Sequence, residues 1–150
     1  MEIKFKPIGI VHSPFQEKKD VKKFRNIDPK GFEAVRAELE IFEEFEDGLQ
    51  DLEGFSHIIL IFAFHKSGEK KLYAHPPFEK KRRGVFSTRS PNRPNPIGFT
   101  VLQLLKRDKN LLQVQGVDMI EETPILDIKP YTPKDQRPDA RFGWLSKYTA

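Results

Sequence analysis

The sequence predicts a mostly β fold, a small single-domain β-barrel or strongly curved sheet with few short helices, over residues 1–150. Two observations lead to this prediction. Short runs rich in β-branched and aromatic residues recur along the chain, and twelve prolines punctuate them. A Rossmann-type fold is disfavoured, because there is no glycine-rich strand-to-helix turn and no alternation of strands with long helices.

The first half of the chain predicts three strands and little helix. Residues 7–12 form a β-prone run that a Ser-Pro pair closes, and residues 16–31, which are polar without a firm period, predict a loop. Residues 37–42 alternate polar and apolar side chains, as a half-buried strand does. Residues 43–52 predict at most a short helix, and residues 56–64 predict a central strand buried on both faces.

The second half predicts four more strands. Residues 84–88 indicate a short strand after the basic part of the chain. Residues 99–107 and 111–117 flank an Asp-Lys-Asn sequence that is typical of a hairpin turn. Residues 125–128 predict a last strand, which Pro130 ends.

Composition restricts the classes of protein that fit. The chain has no cysteine, so it can form neither a disulfide framework nor a thiolate metal site. Its longest apolar run, residues 58–64, is too short to cross a bilayer, and its start lacks the pattern of a signal peptide. We therefore expect a soluble, cytoplasmic protein without a membrane segment.

Charge is distributed unevenly around a net value of +4. Residues 33–53 are acidic, whereas residues 79–93 hold six basic residues and one acid. The basic stretch could meet RNA phosphates, although charge alone favours an ordinary solvated surface. The candidate RNA-binding residues are Lys80, Lys81, Arg82, Arg83 and Arg93.

Residues 87–98 form the densest polar segment of the chain. Three prolines stiffen its backbone, and two arginines, two asparagines and two serines offer hydrogen-bonding groups. A rigid polar loop between strands suits a binding site, because little conformational entropy is lost when a ligand binds. The alternative is a proline-rich turn whose polar groups cap its own backbone.

Two further segments have the composition of a ligand site. Residues 118–131 interleave acidic and apolar side chains, which suits a cationic sulfonium or a ribose diol, although the same pattern fits an ordinary edge strand. His65 and Lys66 follow a buried strand, where ligand groups often gather, although a lone histidine there is more often a structural residue than a catalyst. The four histidines show no metal-ligand spacing, so we expect no metal.

Four motifs in order across most of the chain resemble the TrmO family (TsaA-like domain) of tRNA (adenine-N6)-methyltransferases. They are residues 8–15, with Ile-Gly leading to His-Ser-Pro-Phe; residues 51–57 and the strand after them; residues 84–98; and residues 118–131, which contain Asp-Ile-Lys-Pro-Tyr. The third motif is the most distinctive.

The resemblance implies a homodimeric β-barrel enzyme that uses S-adenosyl-L-methionine. The implied reaction methylates N6 of threonylcarbamoyladenosine at tRNA position 37. The implied cofactor contacts are Pro14, Phe15, Gln16, His65, Lys66, Arg89, Phe99, Asp118, Met119, Ile120, Glu121 and Glu122.

Three residues are candidates for assisting methyl transfer. The exocyclic nitrogen of adenine is a poor nucleophile. An oxygen that accepts a hydrogen bond from the N–H group of this nitrogen would localise the lone pair on the nitrogen. Asn95 is a candidate by analogy with unrelated N6-adenine methyltransferases, Asp127 is an alternative acceptor or base, and Tyr131 could stack on the base. The competing functions are a non-catalytic S-adenosylmethionine-binding module and an RNA-binding module.

Overall fold

The computed structural model of the protein describes residues 1–27 and 31–148. Within these ranges the strands are β1 (Gly9–His12), β2 (Arg36–Ile41), β3 (His57–Ala63), β4 (Tyr73–Ala74), β5 (Arg83–Gly84), β6 (Ile97–Asp108), β7 (Leu111–Gln115) and β8 (Thr123–Pro130). The α-helix α1 spans Lys18–Ile27. Short 3-10 helices occupy Gly31–Ala34, Glu43–Leu49, Leu52–Gly54, Val85–Ser87, Pro133–Asp135 and Gly143–Tyr148.

Six antiparallel strands close into a barrel in the order β1-β2-β7-β6-β3-β8, which confirms the predicted mostly β barrel. We define the upper end of the barrel as the end at which β1, β3 and β7 finish and β2, β6 and β8 begin. The barrel interior is filled by aliphatic side chains that alternate along the strands, so it is a packed core. The strands β4 and β5 form a separate two-stranded sheet in the connection between β3 and β6.

The contact between Gly98 and Phe62 shows how tightly the barrel wall is packed at its upper end. The two residues are partners across β6 and β3, and a Cβ atom at position 98 would overlap the Phe62 ring. Gly98 is buried, and it leaves the space into which the ring packs. Only glycine can fill this position without displacing the aromatic ring.

The predicted loop at residues 16–31 is wrong for residues 18–27, which form α1, and its residues 28–30 lie outside the described residues. Asp20 accepts a hydrogen bond from the backbone N–H of Glu17 and lies in the first turn, where a negative charge is favourable. Within residues 18–25 of the helix, Asp20, Val21 and Phe24 are partly buried and the four lysines and Arg25 are exposed. Val21 and Phe24 are the only apolar residues among residues 18–25, which is too few to predict a helix from apolar spacing.

The predicted strand at residues 84–88 is also wrong for its larger part. Only Gly84 belongs to a strand, and Val85–Ser87 turn as a 3-10 helix. The Ser87 hydroxyl donates to the Gly84 carbonyl at 2.8 Å, and the Thr88 hydroxyl donates to the Val85 carbonyl at 2.8 Å. Hydroxyl groups that bond nearby carbonyls stabilise a turn in place of an extended strand.

The remaining predicted elements are confirmed, with two refinements. The hairpin turn between β6 and β7 is present, and its Lys109 has a left-handed φ of 55°. The short helix predicted at residues 43–52 is split into two 3-10 helices at Asp51, whose φ is 73°. The strand predicted at residues 125–128 is longer and spans Thr123–Pro130.

Candidate active site

Two chain segments that are far apart in sequence are joined at the upper end of the barrel. The Ser13 hydroxyl is buried and donates to the Met119 carbonyl at 2.6 Å. It also accepts from the backbone N–H of Phe15 at 3.1 Å, and the backbone N–H of Glu121 donates to the Phe15 carbonyl at 2.6 Å. The predicted cofactor segments 14–16 and 118–122 therefore form one rigid structure.

His12 links this structure to the neighbouring strand β2. Its Nε2 lies 2.8 Å from Glu40 Oε1, and its Nδ1 lies 3.3 Å from Glu121 Oε1. The hydrogen bond to Glu40 raises the pKa of His12, burial opposes this effect, and the negative charge of Glu121 adds to it. The sequence motif contained His12 but gave no indication of its two carboxylate partners.

The segment after β3 lies at the same end. The backbone N–H of Phe64 donates to the Pro96 carbonyl at 2.8 Å, which joins this segment to the stiff polar loop. Burial lowers the pKa of His65, the adjacent Lys66 lowers it further, and the negative charge of Glu122 opposes both. His65 thus lies within electrostatic reach of both Lys66 and Glu122.

Arg89 and Phe99 are also brought together. The Arg89 guanidinium carbon lies 5.4 Å from the centroid of the Phe99 ring, within the range of a cation–π interaction. Phe99 is 45% exposed on the outer face of β6, so the pair is open to solvent. An arginine held over an exposed ring offers a charged group beside an apolar surface.

The polar loop caps part of its own backbone. Arg93 Nη1 donates to the carbonyls of Thr88 and Ser90 at 2.9 and 3.1 Å, and Asn92 accepts from the backbone N–H of Gly68. The predicted capping of the loop's own backbone is therefore seen for Arg93, whereas Asn92 joins the loop to Gly68. Asn95, like Arg89, keeps an exposed side chain on the fixed loop.

The predicted cofactor residues differ in what they can present to a ligand. Three are buried, namely Phe15, Met119 and Ile120, so their side chains belong to the packed part of this end. Pro14, Gln16 and Asp118 are exposed. Nearby protein atoms nevertheless partly desolvate the Asp118 carboxyl and raise its pKa, which the positive charge of Arg25 opposes.

An aromatic cluster that the sequence did not reveal supports this end of the barrel. Phe15, Phe24 and Phe32 have ring centroids 5.0 to 5.8 Å apart. Arg25 lies over the Phe32 ring at 5.6 Å. The cluster packs α1 against the segment that carries the first motif. The sequence did not predict this cluster, because the positions of its three phenylalanines follow neither a helix repeat nor a strand repeat.

Asp127 and Tyr131 are not brought close to Asn95 within one chain. Asp127 lies in the middle of β8 opposite Ile61, and its Oδ2 is 2.8 Å from Lys129 Nζ. Tyr131 follows β8 at the lower end, where its N–H donates to the His57 carbonyl. The three candidates for assisting transfer therefore do not form a cluster.

The basic residues fall into two groups. Lys80, Lys81 and Arg82 are exposed. Arg83 is held by the buried Glu79, with Arg83 Nη2 3.0 Å from Glu79 Oε2. Arg93 is partly buried, and its guanidinium is engaged by the carbonyls of the polar loop.

Neither a metal site nor a membrane-spanning helix is present in residues 1–27 and 31–148. No group of three or more His, Cys, Asp or Glu side chains in these ranges has the arrangement of a metal site. No helix in the same part of the chain is long and apolar enough to cross a membrane.

Comparisons with known proteins agree on one family. The model of the tRNA-methyltransferase O N-terminal domain matches residues 10–136. A probable S-adenosyl-L-methionine-binding protein of Pyrococcus abyssi is 47% identical over 144 residues, which are 95% of this chain and 76% of that protein. The tRNA (adenine(37)-N6)-methyltransferase of Homo sapiens is 41% identical over 128 residues, which are 83% of this chain and 29% of that enzyme.

Solved structures give the same result. A crystal structure of TrmO superimposes with a TM-score of 0.77 at 37% identity, covering 95% of this chain and 64% of that one. TrmO from Pseudomonas aeruginosa gives 0.76 at 35% identity, covering 96% and 63%. The chain thus spans slightly less than two thirds of these solved chains. The four sequence motifs, the barrel and the matched family model together show that the chain belongs to the TrmO family.

Proposed function

We propose that the chain is an S-adenosylmethionine-dependent tRNA methyltransferase whose target is N6 of the threonylcarbamoyladenosine at position 37. The observation that carries the proposal is that all the matched cofactor segments lie at the upper end of the barrel, where β1 and β3 finish and β6 and β8 begin. Relatives named as S-adenosylmethionine-binding proteins and as tRNA (adenine(37)-N6)-methyltransferases support it.

The side chains at the upper end fit this cofactor in charge and polarity. Glu122 and Asp118 offer carboxylate oxygens to ribose hydroxyls and attract a sulfonium. Arg89 and Lys66 offer cationic donors to the carboxylate of the methionine moiety, and the exposed face of Phe99 offers an apolar contact. When bound, S-adenosylmethionine supplies a methyl group that is already activated by its sulfonium.

The residues of the chain must chiefly position the target base and exclude water, because the transferred methyl needs no further activation. We assign Asn95 the role of accepting, through its side-chain carbonyl oxygen, a hydrogen bond from the N6–H group of the target adenosine. Prolines at 94 and 96 restrict its backbone, and the Ile97 N–H donates to the Asn95 carbonyl at 2.7 Å. The exposed side chain is therefore presented from a fixed position.

We further propose a homodimer formed through the outer face of β6 and β3. Ile97, Phe99 and Val101 alternate with inward-facing residues, and each is about 40% exposed. Ile61 is the partner of Phe99 on the next strand and continues this apolar face towards Asp127 on β8. An isologous pair would cover Ile61, Ile97 and Val101 and place Asp127 of one protomer beside Phe99 of its partner, with Phe99 facing the cofactor at the edge of the interface. Asp127 and Tyr131 act in catalysis only if this assembly forms.

The tRNA binds, in this proposal, through the exposed Lys80, Lys81 and Arg82, with Arg83 and Arg93 adding positive charge from their fixed positions. These residues lie in the connection between β3 and β6, which leaves from the upper end of the barrel. We place the reaction in the cytoplasm, where the tRNA substrate is available.

The test is a methyl-transfer assay with S-adenosylmethionine and two tRNA preparations, one carrying threonylcarbamoyladenosine at position 37 and one carrying unmodified adenosine. We expect mass spectrometry to find one added methyl on N6 of the modified nucleoside and none on the unmodified tRNA. Transfer to a different nucleotide would contradict the target. Binding of S-adenosylmethionine without any transfer would instead favour the non-catalytic module.

A further inference from the structure

A second structural unit, separate from the barrel, is formed by residues 72–87 together with residues 141–148; we call it the basic unit. Its hairpin pairs β4 with β5. The C-terminal segment docks on that hairpin, because the Trp144 indole N–H donates to the Ser87 carbonyl at 2.9 Å and the Tyr148 hydroxyl donates to the Phe78 carbonyl at 3.0 Å. Two segments that are distant in sequence thus build one surface.

The basic unit carries an unusual combination of exposed groups. Phe86 is 76% exposed, and Tyr73, Phe78 and Phe142 are each more than half exposed. The basic residues of the unit are Lys80, Lys81, Arg82, Arg83, Arg141 and Lys147, and its sequence contains one acid, Glu79. Exposed rings among cations are the composition that binds single-stranded nucleic acid, where bases stack on the rings and phosphates meet the charges.

Arg82 and Tyr73 form a pair on which a nucleobase could stack. The guanidinium carbon of Arg82 lies 4.0 Å from the centroid of the Tyr73 ring. Both side chains are exposed, so this flat pair is accessible from solvent. A nucleobase can stack on either a guanidinium plane or an aromatic ring. An ordinary protein-binding surface would need the rings but would not need so many cations.

Glu79 is the buried centre of the unit. Its side chain is 1% exposed, and its two oxygens lie 3.0 Å from Arg83 Nη2 and 3.2 Å from Lys147 Nζ. Burial by itself raises the pKa of Glu79, but hydrogen bonds from Arg83, Lys147 and the backbone N–H groups of Lys81 and Lys80 outweigh it and hold the pKa at about 2. This carboxylate therefore joins the C-terminal segment to the hairpin and contributes no exposed negative charge.

We propose that the basic unit binds a single-stranded RNA loop, with Phe86 and the Tyr73–Arg82 pair stacking on bases, and that Glu79 positions the C-terminal segment within this surface. The inference rests on the proposed function, since it names the part of the tRNA that is held and the residues that hold it outside the cofactor site. The partner is identified as a loop because paired bases in a duplex are not available for stacking on side chains.

The first experiment measures the binding of Phe86→Ala to an anticodon stem-loop RNA and to a blunt duplex RNA of equal length, by fluorescence anisotropy. We expect the variant to bind the stem-loop roughly 10-fold more weakly and the duplex as the wild type does, because base stacking on one ring has this order of effect. Phe55→Ala is the matched control, since Phe55 is 39% exposed at the lower end of the barrel. Equal loss for both phenylalanine variants, or no loss for Phe86→Ala, would overturn the stacking role.

The second experiment distinguishes a positioning role of Glu79 from an effect of its negative charge. If Glu79 acted only through its charge, Glu79→Gln would remove a negative group from a basic surface and strengthen RNA binding. Our account predicts weaker binding, because Arg83 and Lys147 lose the group that holds them. Trp144→Phe, which removes the indole N–H and keeps an aromatic ring, should weaken stem-loop binding as well. Tighter binding by Glu79→Gln would overturn the positioning role.

Calorimetry with S-adenosylmethionine on each variant provides the fold control, since the cofactor site lies on the barrel. Stem-loop binding that depends on Phe86, in a protein that transfers no methyl group, would support this inference and refute the proposed function. Methyl transfer with wild-type stem-loop binding by Phe86→Ala would refute this inference alone.

Discussion

The upper end of the barrel and the basic unit are held together by different kinds of interaction. At the upper end, hydrogen bonds that involve backbone groups of Phe15, Met119 and Glu121 join segments anchored in β1 and β8. In the basic unit, ion pairs of Arg83 and Lys147 with one buried carboxylate hold the segments together. The first region should therefore depend on packing and hydrogen bonds, whereas the second should respond to the removal of single charges.

The largest effect that distinguishes the two regions is expected from alanine at two glycines. Gly98→Ala places a Cβ against the Phe62 ring and should lower the free energy of unfolding by up to about 3 kcal/mol, because the closed wall cannot expand freely. Gly84→Ala in the basic unit is the matched control, since a Cβ atom there would have no neighbour within 4 Å and the φ of Gly84 is −56°. Urea unfolding measures both. Equal stability of the two variants would contradict the packing argument.

Ser13→Ala should be next in size. The change removes a buried hydroxyl that donates to the Met119 carbonyl and accepts from the Phe15 N–H, so it leaves two backbone groups without that partner. We expect a loss of about 2 kcal/mol in unfolding free energy and weaker binding of S-adenosylmethionine. Both losses should be independent of salt concentration. A salt-dependent loss would show that charge, and not backbone bonding, stabilises the upper end.

Arg89→Ala should affect function without affecting stability. Arg89 is exposed and contacts the Phe99 ring, so its loss should leave the melting temperature nearly unchanged. Methyl transfer should fall roughly 10-fold, which corresponds to about 1.4 kcal/mol. Arg89→Lys should restore part of the activity, because lysine keeps the charge but not the planar fork. A wild-type transfer rate for Arg89→Ala would remove this residue from the site.

The smallest effect should come from the pH dependence of His12. Its pKa is raised above 6.5 in the folded chain, so the charged imidazole stabilises the upper end below that value and the stabilisation is lost as pH rises through the folded pKa. The difference in unfolding free energy between wild type and His12→Gln should therefore shrink as the pH rises above 6.5 and through the folded pKa. A difference that grows with pH would reverse the assigned direction.

The barrel strands could be predicted from the sequence, because alternation along β2 and the apolar run of β3 reflect burial directly. The helix α1 could not be predicted, since the aromatic contacts of its Phe24 are with Phe15 and Phe32, which lie outside it. The candidate site shows the same division. The family resemblance named Arg89 and His65 as cofactor contacts, whereas their common position at the upper end of the barrel follows from the fold.

Contacts between side chains that are far apart in sequence could not be predicted, because they produce no local sequence pattern. In the sequence Glu79 is one acid beside four basic residues, and its burial depends on Lys147, which is 68 positions away. His12 meets Glu40 and Glu121 in the same way. These contacts depend on how the barrel closes and on where the C-terminal segment docks, and no short-range pattern reports either event.

The most direct test of the account is calorimetric titration of S-adenosylmethionine, and of its demethylated product, into three forms of the protein. The wild type should bind both compounds, with unchanged affinity after treatment with a chelator. Arg89→Ala should bind S-adenosylmethionine more weakly, and Phe86→Ala should bind it as the wild type does, since Phe86 belongs to the basic unit. No binding by the wild type, or equal loss in both variants, would contradict a cofactor site at the upper end of the barrel.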